Sequence, residues 1–261
     1  MILKNFKINA FTTKKLFGNP ACVIPLQKWL SDEKLLNIAK KNNVSETAFF
    51  IKKNSKFSLR WFTPDIEMDL CGHATLAAAH CINKHLDLNF ERILFDTITG
   101  QLSVKISNDM YQLDFPKRKP VESELPKDIH NSLSVKPDKI FKSRDYILVY
   151  NNIDDIINIK INRNVFNNIN IDPGGVVLTS KGIDCDFVSR FFTPQSTYFE
   201  DPVTGSSHCS LIPYWSSILK KDKMIAKQLS KEGGELICKN LIDRVLISGR
   251  AKTFSEDEIF I

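Results

Sequence analysis

The chain has 261 residues, a hydrophobic fraction of 43% and a formal net charge of +6. That length and hydrophobic content are enough for one large globular core or two moderate ones. The lysines are scattered and no block of like charges is longer than Lys117-Arg118-Lys119, which argues against nucleic acid as a partner.

The cysteine pattern and the hydropathy predict a cellular location. Six cysteines are widely spaced and form no CxxC pair, as is typical of reduced thiols in a cytosolic protein. No signal-peptide pattern precedes Phe6, and no apolar run is long enough to span a membrane. We therefore expect a cytoplasmic protein without a membrane partner.

The first predicted elements are two strands, a helix and a third strand. Leu3 to Phe11 alternates apolar and polar residues, as a strand does. Phe17-Gly18-Asn19-Pro20 predicts a turn, in which Asn19 either binds a ligand or stabilises the turn. Ser31-Asp32-Glu33 predicts the capped start of a helix, and Ala48 to Ile51 predicts an apolar strand.

The segment Asp69 to His80 is the centre of the sequence pattern. A tight Cys71-Gly72-His73 turn leads into an alanine-rich stretch that predicts a buried helix. The glycine leaves the first NH groups of that helix open, and a helix N-terminus is a ready anion site. Asp201 to Cys209 repeats this plan, with a glycine turn followed by an apolar run.

An internal repeat supports a division of the chain into two halves. Arg60 to Pro64 matches Arg190 to Pro194 at an offset of 130 residues, and Gly72 matches Gly205 at an offset of 133. We predict two similar α/β domains, residues 1–117 and 118–261, facing each other across a cleft, with the two glycine turns at its centre. The last strand is free to cross back to the first domain.

The two halves differ where chemistry is expected. At an offset of 130 residues Glu46 meets Val176, and at 133 residues Cys71 meets Thr204. A glutamate at the start of an apolar strand is costly to bury unless it is paired or functional. Glu46 is therefore either an acid/base or an exposed residue at a strand end, and the single thiol argues against a symmetrical pair of cysteine bases.

Metal and hydrolase chemistry fit the pattern poorly. His73, His80, Cys81 and His85 scatter around one predicted helix without a second ligand cluster, so we expect no metal. Ser206 and His208 are not part of a G-x-S-x-G elbow, which argues against a hydrolase.

Four motifs together resemble one known family. They are Asn9-Ala10-Phe11-Thr12 with Phe17 to Ala21, Ser45 to Phe50, Asp69 to Thr75, and Asp201 to Ser206. In this order they are similar to the phenazine-biosynthesis (PhzF-like) isomerases of the diaminopimelate-epimerase fold. The resemblance implies an α/β (α+β) fold of two duplicated domains, each a curved, mostly antiparallel sheet around a central helix. It also implies a homodimer.

The resemblance further implies how the site works. Glu46 would be the proton-shuttling acid/base, His73, Asp201 and Ser206 would line the site, and neither a metal nor an organic cofactor would be needed. In racemases of this fold two facing cysteines carry out the chemistry, whereas here only Cys71 is in place.

We therefore predict a cofactor-independent isomerase that moves a proton on a small carboxylate-bearing metabolite. The alternatives are a cysteine-type epimerase or racemase and a catalytically idle small-molecule-binding protein of the same fold. The predicted catalytic residue is Glu46, and the predicted substrate-binding residues are Asn19, Gly72, His73, Asp201, Gly205 and Ser206.

Overall fold

The computed structural model describes residues 1–86 and 90–261. The elements up to the predicted linker are β1 Ile2–Thr12, β2 Asn19–Leu26, α1 Asp32–Asn42, β3 Glu46–Lys53, β4 Lys56–Phe62, β5 Glu67–Met68, α2 Gly72–His85, β6 Arg92–Thr97, β7 Gly100–Ser107 and β8 Met110–Pro116. The elements after it are β9 Val121–Glu122, α3 Lys127–Ser132, β10 Lys139–Lys142, β11 Tyr146–Val149, α4 Ile153–Asn158, α5 Arg163–Phe166, β12 Val176–Lys181, β13 Phe187–Phe192, β14 Glu200–Asp201, α6 His208–Leu219, β15 Lys223–Gln228, β16 Gly234–Asn240 and β17 Arg244–Phe260.

The described residues divide into two compact units. The first contains Met1–Phe115 and Leu246–Ile261, and the second contains Pro116–Val245. This boundary differs from the predicted halves 1–117 and 118–261, in which residues 246–261 belong to the second half unless the last strand crosses back. In the structure β17 continues into the first unit, where it pairs with β1 from Ile2 opposite Phe260 to Thr12 opposite Arg250.

The first unit is a sheet wrapped around one helix. Its strands pair in the order β17, β1, β2, β3, β4, β6, β7, β8, with β2–β3 and β4–β6 parallel and the other pairs with a defined register antiparallel. Since β8 also pairs with β17, the strands form a closed ring. Helix α2 packs against β1, β2 and β3.

Small side chains allow α2 to be enclosed in this way. Every residue from Gly72 to Ile82 is buried, and most of them are glycine, alanine, threonine or cysteine. A helix that is apolar and small on all sides can be surrounded by backbone. By contrast, α1 lies outside the ring and buries only one face. The predicted cap of α1 is confirmed, because the Ser31 hydroxyl accepts a hydrogen bond from the Lys34 amide.

The second unit repeats the strand order of the first. In it β11 runs parallel to β12, β12 is antiparallel to β13, β13 runs parallel to β15, and β15 is antiparallel to β16. These match the β2, β3, β4, β6, β7 series of the first unit. Helix α6 takes the place of α2 and packs against β15 and β16. The fold is therefore a duplicated, sheet-dominated α+β fold, as predicted.

A bidentate ion pair is repeated with the strands. Arg60 Nε and Nη2 lie 2.7 and 2.6 Å from the two carboxylate oxygens of Glu67, and Arg190 makes the same contacts to Glu200 at 2.7 and 2.8 Å. Each guanidinium also lies 5.0 Å from a phenylalanine ring centroid two residues further along its strand. Each pair ties a long central strand to the short strand that precedes the helical turn.

The sheet register corrects one detail of the sequence repeat. Thr47 lies opposite Phe62, whereas Val176 lies opposite Phe192. Since Phe62 and Phe192 match, Val176 corresponds to Thr47, and the residue in the place of Glu46 is Gly175 rather than Val176. The prediction was wrong by one residue because a fixed offset ignores the different lengths of the two hairpins.

The described residues contain no helix that combines the length and apolarity needed to cross a membrane.

Candidate active site

Glu46 is a buried carboxylate at the first position of β3. Its side chain is 12% exposed, and β3 runs parallel to β2 with Glu46 opposite Ala21. The next five residues of the strand are also buried. The carboxylate is therefore held against the interior of the first unit, and the reading of Glu46 as an exposed strand-end residue is wrong.

The imidazole of His73 faces this carboxylate. His73 Nε2 lies 3.1 Å from Glu46 Oε2, and the His73 side chain is only 2% exposed. Among the described residues, however, Glu46 Oε2 accepts no well-aligned hydrogen bond, although it is fully buried. A buried carboxylate oxygen that is only partly satisfied is costly for the fold.

The other nitrogen of His73 faces an amide and a thiol. His73 Nδ1 lies 3.2 Å from Asn19 Nδ2 and 3.6 Å from Cys71 Sγ. Ser45 Oγ donates to Asn19 Oδ1 at 2.6 Å and lies 3.4 Å from His73 Nε2. Because Asn19 Oδ1 is occupied by Ser45, its Nδ2 faces the ring and donates to Nδ1. The neutral imidazole then carries its proton on Nε2, toward Glu46.

The electrostatic surroundings of His73 favour its charged form. Burial lowers the pKa of the imidazole, but the Glu46 carboxylate, 3.1 Å from Nε2, outweighs burial, so that the pKa of His73 is raised above its ordinary value. Glu46 and His73 thus form a buried carboxylate–imidazole pair.

The Cys71 thiol is difficult to deprotonate at this position. Burial, followed by the charge of Glu46, raises the pKa of its thiol to about 11. It is therefore the protonated thiol at neutral pH, and it is a weak base and nucleophile there.

The start of α2 leaves backbone donors available. Cys71 is the N-cap residue, and its side chain makes no capping hydrogen bond. Thr75 Oγ1 instead donates to the Cys71 carbonyl oxygen, within the first turn. The amides of Gly72 and His73 therefore lack a side-chain cap, and an anion bound there would be stabilised by the helix dipole.

The second unit carries the other predicted residues in a turn of its own. Thr204 Oγ1 donates to Asp201 Oδ2, and Gln228 ties the turn together by accepting from the Thr204 amide at 2.8 Å and donating to the Asp201 carbonyl at 2.7 Å. Gly205 and Ser206 follow, and their carbonyl oxygens accept the first helical hydrogen bonds of α6. That these residues bind the same substrate as Glu46 stays a prediction.

Glu46, Cys71 and His73 bring three potential metal ligands close together. One potential ligand atom from each lies within 4.8 Å of the others. However, the thiol is on the Nδ1 side of His73 and the carboxylate is on the Nε2 side. An ion bound to one imidazole nitrogen would therefore lie beside one of these two neighbours and farther from the other, which is a poor arrangement for a shared metal.

The structure brings the predicted residues Asn19 and His73 together with Glu46, and it shows two further contacts that the sequence did not predict. Ser45 orients Asn19, and Gln228 holds the turn of the second unit. Ser45 is the first residue of the motif Ser45 to Phe50, and its position next to Glu46 could have indicated a role in the site. Gln228 is 24 residues from Thr204, and nothing in the sequence points to that contact.

The comparisons with known proteins identify the family. The family model described as phenazine biosynthesis-like protein matches residues 8–257. This chain therefore belongs to the PhzF-like family.

Its relatives agree with this assignment. The chain is 41% identical over 252 residues to a protein of Pseudomonas aeruginosa named an uncharacterized isomerase, with 96% of each chain covered. A crystal structure of a PhzF-family phenazine biosynthesis protein from Enterococcus faecalis matches with a TM-score of 0.90 and 37% identity, covering 100% of both chains. A hydroxyproline epimerase from Agrobacterium vitis shares the fold alone, with a TM-score of 0.67 at 8% identity and coverage of 99% and 92%.

Proposed function

We propose that this protein is a cofactor-independent isomerase that moves a proton on a small carboxylate-bearing metabolite, with Glu46 as the general acid/base. The observation that carries the proposal is the buried Glu46 carboxylate, 3.1 Å from His73 Nε2 and without a well-aligned hydrogen bond to Oε2. The isomerase names of its relatives support the reaction class.

In this proposal Glu46 removes a proton from a carbon of the substrate and returns it to another carbon. His73 stabilises the carboxylate and positions it, while Asn19 and Ser45 fix the orientation of the His73 ring. A positioned acid/base typically contributes about 10² to 10⁴ in rate. Donors arranged in advance around the developing negative charge supply much of the remainder.

We further propose which groups bind the substrate. The uncapped amides at Gly72 and His73 would bind a carboxylate or a developing enolate oxygen. Asn19, and in the second unit Asp201, Gly205 and Ser206, would contribute further polar contacts, as the family resemblance implies. We also propose that the protein works in the cytoplasm as a homodimer without a metal or an organic cofactor, and light scattering tests the dimer.

A cysteine-type epimerase is the second candidate function. It is favoured by Cys71 Sγ, which lies 3.6 Å from His73 Nδ1 and would need to be deprotonated to act as a base. The raised thiol pKa opposes it. An idle binding protein is the third reading, and it predicts ligand binding without any turnover.

The test is an isomerisation assay on a small-molecule cell extract, followed by chromatography and mass spectrometry. Wild-type protein should convert at least one acid into an isomer of equal mass. Glu46→Gln should lose this conversion, whereas Cys71→Ser and the matched control Glu33→Gln, which changes an exposed glutamate in α1, should retain most of it. Loss with Cys71→Ser alone would favour the second candidate, and no conversion by wild type would favour the third.

A further inference from the structure

A cavity lies in the first unit, and none of the residues that line it belongs to the candidate active site. Its volume is about 370 Å³, and it is bounded by the loop between β1 and β2 and by β17. Pockets that bind small molecules have volumes of roughly 300 to 1,000 Å³. This cavity is therefore large enough for a small metabolite.

Two β-bulges shape the cavity. In the pairing of β1 with β17, Asn9 lies directly opposite Lys252, and register shifts occur on both sides of this pair. One shift leaves Phe254 unpaired, and the other leaves Phe11 unpaired with a positive φ of 59°. Bulges redirect side chains and are common beside binding sites. Here the first bulge places Phe254 at the cavity.

Three lysines that line the cavity form no ion pair with any residue that the structure describes. They are Lys14, Lys15 and Lys252. A fourth amine, Lys7 Nζ, lies 5.6 Å from the Phe254 ring centroid. Several unpaired lysines around one concave site produce a positive potential that attracts anions.

A buried amide points to a ligand with a hydrogen-bond donor or a bridging water. Asn9 lines the cavity but is only 6% exposed, and its Oδ1 has no hydrogen-bond partner among the described residues. An unsatisfied buried polar atom costs about 1 to 3 kcal/mol in a fold. Such an atom is explained when a bound molecule or water satisfies it.

Two exposed aromatic rings form the apolar part of the site. Phe17 is 47% exposed and Phe254 is 62% exposed. Their ring centroids are 6.1 Å apart, in an edge arrangement. A planar apolar group that packs against these rings would remove their surface from water, which is favourable.

The walls of the cavity are held in place before any ligand binds. In the β1–β2 loop, Thr12 Oγ1 donates to the Leu16 carbonyl at 2.8 Å, and the Leu16 amide donates to Thr13 Oγ1 at 3.1 Å. On the β17 side, Thr253 Oγ1 is bound by His80 Nε2 at 3.0 Å and by His85 Nε2 at 2.7 Å. A site arranged in advance loses little entropy on binding.

We propose that this cavity is a second binding site, for a phosphate monoester that carries a planar apolar group. A phosphate dianion matches three unpaired lysines better than a singly charged carboxylate does. The ring of the ligand would pack on Phe17 and Phe254, and a ligand hydroxyl or a bridging water would satisfy Asn9. The proposal does not depend on the proposed isomerase activity.

The test is an NMR titration of the full-length protein with phenyl phosphate, which combines the dianion with an aromatic ring. We expect saturable shifts of amides in residues 12–17 and 252–254, with weaker binding of inorganic phosphate, benzoate and phenol. Binding should weaken as salt is raised. Lys252→Ala and the double variant Lys14→Ala/Lys15→Ala should each reduce affinity about tenfold or more. Lys28→Ala, which removes an exposed lysine outside the cavity, should leave it unchanged.

Three outcomes would overturn the proposal. They are the absence of saturable binding at millimolar phenyl phosphate, equal weakening by Lys28→Ala and Lys252→Ala, and shifts that map to Glu46 and His73 instead of the cavity. The variants change exposed side chains, and an unchanged amide spectrum in the absence of ligand shows that they are folded.

Discussion

Glu46 and Gly175 occupy the same register position in the sheets of the two units, and only Glu46 has a side chain. Each directly precedes the residue that pairs with the matching phenylalanine of the next strand, Phe62 or Phe192. The second unit forms its sheet with no side chain at this position. The fold therefore does not require the carboxylate, which supports a functional reason for its presence.

Gly175 should be intolerant of any side chain. A Cβ at this position would overlap the Phe191 ring and lie 3.0 Å from the Phe192 carbonyl oxygen. We predict that Gly175→Ala lowers the free energy of unfolding by about 1 to 3 kcal/mol through overpacking, as measured by urea denaturation. Adding Phe191→Leu removes the ring that the new Cβ overlaps, so it should restore part of the lost free energy of unfolding. A double-mutant cycle would show this as a favourable coupling energy. A neutral Gly175→Ala would contradict the close packing.

The pKa values of the buried histidines His73 and His208 should be shifted in opposite directions. Burial lowers the pKa of His208 to about 4, whereas the charge of Glu46 raises the pKa of His73 even though that ring is also buried. NMR titration of the imidazole protons should show His208 neutral down to about pH 4 and His73 still protonated above pH ~6.5. Glu46→Gln should lower the pKa of His73, while Glu33→Gln should not.

The sign of the stability change follows from the His73 shift. The folded state binds the His73 proton more tightly than the unfolded state does. Protonation of His73 therefore adds to the free energy of unfolding, and this added stability is complete below the unfolded pKa of about 6.5. It is lost as the pH rises through the folded pKa. His73→Gln should remove this part of the pH dependence from the urea unfolding curve, and an unchanged profile would show that His73 is not charged in the fold.

The two bidentate arginine–glutamate pairs should contribute about equally to the free energy of unfolding. Glu67 and Glu200 each bind an arginine through both oxygens and are 31% and 25% exposed. We predict that Glu67→Gln and Glu200→Gln each cost about 1 kcal/mol in urea unfolding. Asp96→Asn, which breaks a 3.7 Å contact to the exposed Lys56, should cost no more than about 0.5 kcal/mol. Equal effects at all three sites would contradict a special role for the bidentate pairs.

Much of the fold was predictable because local patterns and tertiary packing agree. The Ser31 cap, the alanine-rich helix from Gly72 and the repeat of Arg60 at Arg190 all identify real elements. Hydrophobic periodicity and capping depend on nearby residues, so one sequence can reveal them. The match between the two halves then indicates the duplication.

The finer relationships could not be read from the sequence, since they depend on pairing across the sheet. A fixed offset assigned Val176 to the place of Glu46, whereas the register assigns Gly175. The contact of Ser45 with Asn19 joins residues 26 apart. Such contacts arise only when separate strands are aligned, and a slip of one residue reverses every side chain.

Metal binding is tested by elemental analysis. Because Cys71 and Glu46 contact different nitrogens of the His73 ring, we expect the purified protein to hold less than about 0.1 equivalent of zinc, iron, nickel or copper per chain. Activity should be unchanged after dialysis against a chelator. One tightly bound zinc per chain, with activity lost on its removal, would contradict the assignment of these residues to proton transfer alone.

The most direct test of the central claim is carbon deuteration by wild-type protein and Glu46→Gln in heavy water. A small-molecule cell extract is incubated with each protein, and carbon-bound deuterium in the isomerised product is measured by mass spectrometry and NMR. Glu46→Gln should fold normally and lower the rates of isomer formation and labelling by about 10² or more, while Glu33→Gln should retain both. If Glu46→Gln forms the labelled isomer as fast as wild type, Glu46 is not the acid/base.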